Sequence, residues 1–248
     1  MLVIGKNPVY EILKSSPEDF SKIILMKTLK PEARLKEIVK LAENQGISVL
    51  MLNKYDFANY FNRKNKSEGI SQGVIGFIKD YDYKPLKEIL EENKKIVNPL
   101  ILLLDEITDP QNLGATIRSA VCFGADAIVI PRHNSAEINH TVIKASSGMV
   151  KYISVAKETN LNNSIQYLKD NGYWIFGTDM KAPKSIFEVD FKMPVGLVIG
   201  SEGEGMRLSV KENCDFLVRI PMTTQAESLN ASVTAAVFMY EIFRQKNT

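Results

Sequence analysis

Apolar positions change their rhythm several times along the chain. Near the start, Val9, Ile12 and Leu13 fall at helical spacing behind Asn7-Pro8. A capping side chain followed by proline at the first helical position predicts a short opening helix. Residues 23–26 form an apolar run of strand length. Leu35, Ile38, Val39 and Ala42 then share one helical face within residues 31–44, and Gly46 suits the helix stop. Residues 49–52 read as a second strand. After a polar stretch at 62–69, residues 73–78 read as a third. The alternation predicts a compact α/β module over 1–80.

Residues 80–98 are mostly Lys, Glu, Asp, Asn and Tyr, so few core contacts can begin there, and residues 81–98 are expected to form a linker. From Leu100 on, strand-like runs at 100–104, 127–130, 152–155, 174–176, 195–199 and 216–220 alternate with helical stretches. This pattern predicts a second domain over 99–248, a mostly parallel sheet with helices on both faces.

Composition narrows the class. With 248 residues, 45% of them apolar and only two cysteines, disorder and disulfide scaffolds are improbable. The longest apolar run, 235–240, is six residues, against roughly 20 needed to cross a bilayer. The amino end turns polar at once, so a cytoplasmic location is expected. Cys122 and Cys214 lie in unrelated contexts and read as reduced, buried thiols. The net charge of +2 hides an asymmetry: residues 1–95 carry 17 Lys and Arg against 13 Asp and Glu, the remainder 14 against 16. The first module is the more basic, which suits a polyanion only weakly.

In parallel α/β sheets, ligands bind beyond the carboxyl ends of the strands, and three of the loops there are unusual. The loop after 100–104 runs through Asp109-Pro110-Gln111-Asn112-Leu113-Gly114 to Arg118, with Arg118 off the apolar stripe of Leu113, Ile117, Ala120 and Val121. The loop after 195–199 is Gly200-Ser201-Glu202-Gly203-Glu204-Gly205-Met206, whose glycines permit close backbone approach to a ligand. Its spacing is not that of a dinucleotide fingerprint, its glutamates would repel a pyrophosphate, and no P-loop is present. The loop after 216–220 holds Pro221-Met222 and then Ser228-Leu229-Asn230-Ala231-Ser232, where Ser228 and Asn230 sit at cap positions. A helix follows, with Val233, Ala236, Val237, Tyr240 and Phe243 at helical spacing. His133 and His140 are the only histidines and have no Asp/Cys cluster at ligand spacing, so no metal site is expected.

In order, these loops resemble the three motifs of the SpoU (TrmH) class of the SPOUT superfamily, the S-adenosylmethionine-dependent RNA ribose 2′-O-methyltransferases. The amino-terminal Gly5-x-Asn7-Pro8-Val9-x-Glu11 and Gln72-Gly73-Val74 resemble the small ribosomal-protein-like RNA-binding domain of the 23S ribosomal RNA guanosine methyltransferases of RlmB type. Ser71 stands where that group usually has histidine. Thr224 stands where the third motif usually has glycine and requires a backbone a β-branched residue accepts. The resemblance implies a trefoil knot at the carboxyl end, a homodimer with the site at the subunit interface, structured RNA as partner, and cofactor binding by Gly200, Ile220 and Leu229, with Met222 and Thr178 as neighbours.

The same resemblance places Arg118, Asn112, Glu202, Ser228 and Asn230 in catalysis. A guanidinium loses its proton only above about pH 12, so Arg118 is expected to act as a charged clamp on RNA phosphate and on the developing alkoxide rather than as a base. Glu202 is expected to orient Arg118, and Asn112, Ser228 and Asn230 to fix the hydroxyl, the arginine or the loop. A guanosine in the peptidyl-transferase region of 23S ribosomal RNA is the expected target. Another ribosomal site of resistance type, or transfer RNA, is the alternative. A reading of another class is a non-catalytic RNA-binding assembly factor.

Overall fold

The computed structural model describes residues 2–27, 32–64, 72–223 and 228–248. Ser71, Thr224 and most of the polar 62–69 stretch lie outside them. The chain divides into two compact units, Met1–Tyr81 and Asp82–Thr248.

The first unit runs β1 (Leu2–Ile4), α1 (Lys6–Ser15), β2 (Phe20–Met26), α2 (Ala33–Asn44), β3 (Ser48–Leu52), α3 (Lys54–Lys64) and β4 (Val74–Ile78). Its sheet has the order β1-β4-β2-β3, antiparallel on both sides of β4 and parallel between β2 and β3. Helix α1 begins earlier than Asn7-Pro8 suggests. Gly5, at φ 101°, turns the chain into the helix, and no side chain caps it. Pro8 is harmless in the first turn because its absent N–H would have had no intrahelical acceptor. The two amino-terminal motif fragments meet here: Gly5 N–H donates to Val74 O at 3.0 Å, and Lys6 N–H to Gln72 Oε1 at 3.4 Å.

The second unit begins with a correction. Residues 81–98, expected as a linker, carry α4 (Leu86–Asn93), whose Leu86, Ile89 and Leu90 are buried in the same core as Ile101, Leu103 and Leu168. Then follow β5 (Leu100–Leu104), α5 (Pro110–Cys122), β6 (Ala127–Pro131), α6 (His140–Ala145), β7 (Ser154–Glu158), α7 (Leu161–Asp170), β8 (Trp174–Thr178), β9 (Lys184–Ser185), β10 (Val195–Ile199), α8 (Leu208–Lys211), β11 (Phe216–Arg219) and α9 (Ala231–Lys246). The strand expected from Tyr152 starts at Ser154, because Gly148 at φ 78° leads residues 149–152 into a 3-10 turn.

Seven strands form one parallel sheet in the order β7-β6-β5-β10-β8-β11-β9. All five residues of each of β5, β6 and β10 are buried, as strands covered on both faces require. Helices α4, α7 and α8 bury one face. On the other side α5 packs between α6 and α9, and α9 reaches β10. The order doubles back. From β8 the chain goes out to β9 at the sheet edge, returns inward to β10 between β5 and β8, crosses to β11 between β8 and β9, and brings α9 back against α5. A trefoil of the expected kind requires this path, and it gathers the ends of β5, β10 and β11 at one edge.

Candidate active site

Each of the three loops starts where a strand ends, and each is held in place by a local device. Asp109 caps α5, its side chain accepting from Gln111 N–H at 3.0 Å, with Pro110 opening the helix. Asn112 therefore lies in the first turn. Asn230, not Ser228, caps α9: its Oδ1 accepts from Ser232 N–H at 2.9 Å and Val233 N–H at 3.3 Å. Between β10 and α8 the chain closes a small hairpin, with Ser201 N–H donating to Gly205 O at 3.0 Å and Gly205 N–H returning to Ser201 O at 3.1 Å. Gly203 and Gly205 take φ of 85° and 75° to make the turn. A Cβ on Gly200 would stand 2.2 Å from the carbonyl carbon of Gly205. The close approach expected of these glycines is thus first to the loop's own backbone.

The hairpin tip carries Glu202, and there the loops meet. Glu202 Oε1 accepts from Asn112 Nδ2 at 2.6 Å, from Asn230 Nδ2, and from Ala231 N–H at 3.4 Å. Asn230 Nδ2 also donates to Asn112 Oδ1 at 2.9 Å. The carboxylate sits over the amino ends of both α5 and α9, where the helix dipoles favour negative charge. Three side chains separated by up to 118 residues so form one cluster.

Beside it opens a cavity of about 360 Å³. Gly200, Ile220 and Leu229 all line it, as do Thr178 and Met222. Of the residues expected in catalysis, Glu202 and Ser228 line it. Ser228 has no hydrogen-bond partner among the described residues.

Arg118 departs from expectation. It is exposed on α5, does not line the cavity, and bonds to no described residue. Glu202 Oε1 accepts from the two asparagine amides and the α9 amino end, and no bond joins Glu202 to Arg118 within the chain.

Sequence reasoning missed four charged residues. Asp179 and Lys211 line the cavity and pair through Oδ2 and Nζ, while Lys181 N–H donates to Asp179 Oδ1 at 2.7 Å. Burial raises the Asp179 carboxyl, but these two partners outweigh it and hold the group below the usual carboxylate range. Asp105 and Arg207 form a second pair beneath the hairpin. The available signal for Asp105 was a carboxylate directly after five consecutive apolar strand residues.

The thiols split. Cys122 is exposed, contrary to expectation, whereas burial pushes the partly covered Cys214 up to about 12. His133 is exposed. His140 opens α6, where burial and then Lys144 lower its pKa and favour the neutral ring. The described residues contain no group of three or more metal-ligating side chains and no helix long and apolar enough to cross a membrane.

Comparison with known proteins agrees with this geometry. Residues 2–84 match the RNA 2′-O ribose methyltransferase substrate-binding family. A Bacillus subtilis (strain 168) relative with a family-level name, TrmH family tRNA/rRNA methyltransferase YacO, is 40% identical over 99% of this chain and 96% of its own length. Among solved structures, the SpoU methyltransferase AviRb from Streptomyces viridochromogenes, in complex with AdoMet, superposes with a TM-score of 0.70 at 21% identity, over all of this chain and 91% of that one. The AdoMet-bound rRNA methyltransferase from Sinorhizobium meliloti does so at 0.66 and 22%, over 98% and 86%. Residues 99–240, which span all three converging loops, match the SpoU rRNA methylase family, and the chain belongs to that family.

Proposed function

We propose that this protein transfers a methyl group from S-adenosylmethionine to a ribose 2′-hydroxyl of RNA, with a guanosine in the peptidyl-transferase region of 23S ribosomal RNA as target and a homodimer as the active form. The observation that carries this reading is the meeting of Asn112, Glu202 and Asn230 at the mouth of a cavity lined by Gly200, Ile220 and Leu229. The lining suits the cofactor. Ile220, Leu229 and Phe238 offer apolar walls for adenine, and the carboxylates of Glu202 and Asp179 suit a cationic sulfonium better than a phosphate. When bound, the cofactor would supply a sulfonium methyl, which an oxygen nucleophile would take in line as the neutral thioether leaves.

The protein's task is to place the hydroxyl and manage its proton, and positioning alone can supply about 7–11 kcal/mol of barrier reduction. Glu202 holds the amides of Asn112 and Asn230 at fixed orientation, so the asparagines and the Ser228 hydroxyl form the polar rim that receives the ribose. Arg118 serves as a cationic clamp, binding RNA phosphate and stabilising the alkoxide as the hydroxyl proton leaves. Because Arg118 stands away from the cavity of its own chain, it is supplied to the site of the partner subunit. The exposed stripe of Val233, Val237, Tyr240 and Phe243 on α9 supports such a dimer. The match of residues 2–84 to a substrate-binding family supports RNA recognition by the basic amino-terminal unit.

The test is transfer of labelled methyl from S-adenosylmethionine to purified large-subunit ribosomal RNA and to transfer RNA, followed by mapping of 2′-O-methyls in RNA from cells with and without the gene. One guanosine methylated only in the presence of the gene is the expected result. Label entering transfer RNA instead replaces the target. Calorimetric silence toward S-adenosylmethionine with retained RNA binding favours the non-catalytic assembly factor.

A further inference from the structure

The reading above leaves Asp105 and Arg207 unused, yet among the described residues Asp105 is the most deeply buried carboxylate of any ion pair in the catalytic unit. Asp105 follows β5 directly and is completely buried, its carboxylate at 0% exposure beside Arg207 at 43%. Its backbone N–H donates to Ile199 O at 2.8 Å, which ties the residue after β5 to the last residue of β10. Its carboxylate accepts two hydrogen bonds from one residue, Arg207 N–H to Oδ2 at 2.8 Å and Nε to Oδ1 at 2.8 Å, and Nη2 stands in ion-pair contact 2.6 Å from Oδ1. Glu106 Oε1 adds charge 3.8 Å from Nε.

Burying a carboxylate is costly even when it is paired, and an apolar residue could have continued the Leu100–Leu104 run at less cost. What the pair provides is geometric. Ile199 is the entry and Arg207 the exit of the Gly200–Met206 hairpin, and Asp105 holds both. The hairpin contains three glycines and little stiffness of its own beyond the Ser201–Gly205 bridge. At its tip Glu202 reaches Asn112, which lies on the same 105–112 segment as Asp105. The loop after β5 thus grips the hairpin at the base through Asp105 and at the tip through Asn112. Neither Asp105 nor Arg207 lines the cavity, so any influence on the reaction passes through the hairpin.

We propose that Asp105 and Arg207 are a positioning pair for methyl transfer, a clasp at the hairpin base that sets where Glu202 stands over Asn112, Asn230 and the cofactor cavity. The proposal rests on the methyltransferase reading. It predicts that the pair acts through Glu202, whereas a pair that merely stabilised the fold would act independently of it.

The experiment is a double-mutant cycle in the full-length protein, with Arg207→Gln, Glu202→Gln and the double variant, read as the S-adenosylmethionine Kd by calorimetry and as kcat/KM for methyl transfer. Thermal melting establishes that each variant is folded. Arg207→Gln is expected to weaken kcat/KM at least tenfold, Arg207→Lys to recover part of the loss, and Arg207→Gln to add less than twofold on either readout in the Glu202→Gln background. If Arg207→Gln unfolds the protein by stranding Asp105, the neutral pair Asp105→Asn/Arg207→Gln takes its place in the same cycle. Equal factors in the two Glu202 backgrounds, or unchanged kinetics in the single variant, overturn the proposal while the methyltransferase reading stands. Wild-type protein that neither binds S-adenosylmethionine nor methylates RNA overturns the reading, and the clasp with it.

Discussion

In the proposed mechanism, Glu202 and Arg118 divide the charge of the site between two tasks. Glu202 Oε1 accepts from two side-chain amides and a helix end of its own chain, so its proposed work is to hold polar groups still. Arg118 is exposed and bonds to no described residue, so its charge is available to a substrate. Arg118→Ala therefore removes little from the fold. We expect methyl transfer to fall by at least two orders of magnitude, with melting temperature and S-adenosylmethionine affinity near wild type, measured by labelled-methyl assay, scanning calorimetry and titration calorimetry. Arg118→Lys keeps the charge but loses the planar fork and is expected to fall between. The cysteines give a second test at this scale. With its pKa at about 12, Cys214 has only about one part in ten thousand as thiolate at pH 8, so iodoacetamide should leave it unmodified in the native protein. Denaturant exposes it and restores an ordinary rate, which peptide mass spectrometry reads directly.

At the scale of elements, Gly114 shows why the first motif needs a glycine inside a helix. A Cβ there would stand 2.4 Å from Ala145 Cβ and 3.0 Å from Val142 O, so α5 and α6 pack nearly backbone to backbone at this point. Gly114→Ala is expected to cost about 1–3 kcal/mol through overpacking. Melting would fall by about 2–4 °C for each kcal/mol, with activity lost in step as the start of α5 is displaced. The sequence displayed this glycine as part of a motif but not its reason, which lies in a neighbour some 30 positions on. The same limit applies elsewhere. The buried strands β5 and β10 were legible at their observed bounds because a continuous apolar run between polar loops has few alternatives. Helix α3 was not read: its buried Phe57 and half-buried Tyr60 and Phe61 do stand at i, i+3 and i+4, but this single apolar turn is set among the polar Lys54, Asp56 and Asn59. Helix α9 was legible as a helix but not by its buried side. It is apolar nearly all round, so Val233, Val237, Tyr240 and Phe243 keep helical spacing as well as the residues that face the core, Ala235, Phe238, Met239 and Ile242. In the site, the loops and the cavity-lining Gly200, Ile220 and Leu229 could be read from sequence. The partner of Glu202 could not, because charge complementarity suggested Arg118 while chain geometry supplied two amides.

At the scale of the whole molecule, that exposed side of α9 is where the proposed dimer can be tested. Val233, Val237, Tyr240 and Phe243 are 45%, 37%, 55% and 40% exposed, and Phe123 at the end of α5 extends the stripe, its ring 5.6 Å from that of Tyr240. An apolar surface of this length on the helix that packs against α5 fits a two-fold partner better than solvent. Tyr240→Glu, at a position solvent already reaches, is expected to give folded monomers by light scattering that have lost methyl transfer. If Arg118 serves the partner's cavity, loss of the dimer removes the clamp while leaving each cavity intact. Complementation separates this from a role within one chain. Arg118→Ala and Glu202→Ala are each expected to be inactive alone. Refolded together, they form mixed dimers in which one site combines an intact cavity with the other chain's Arg118. Random assortment makes half the dimers mixed, with one working site of two, so about a quarter of wild-type activity should return. If each arginine serves its own chain, every site in the mixture carries one defect and no activity returns.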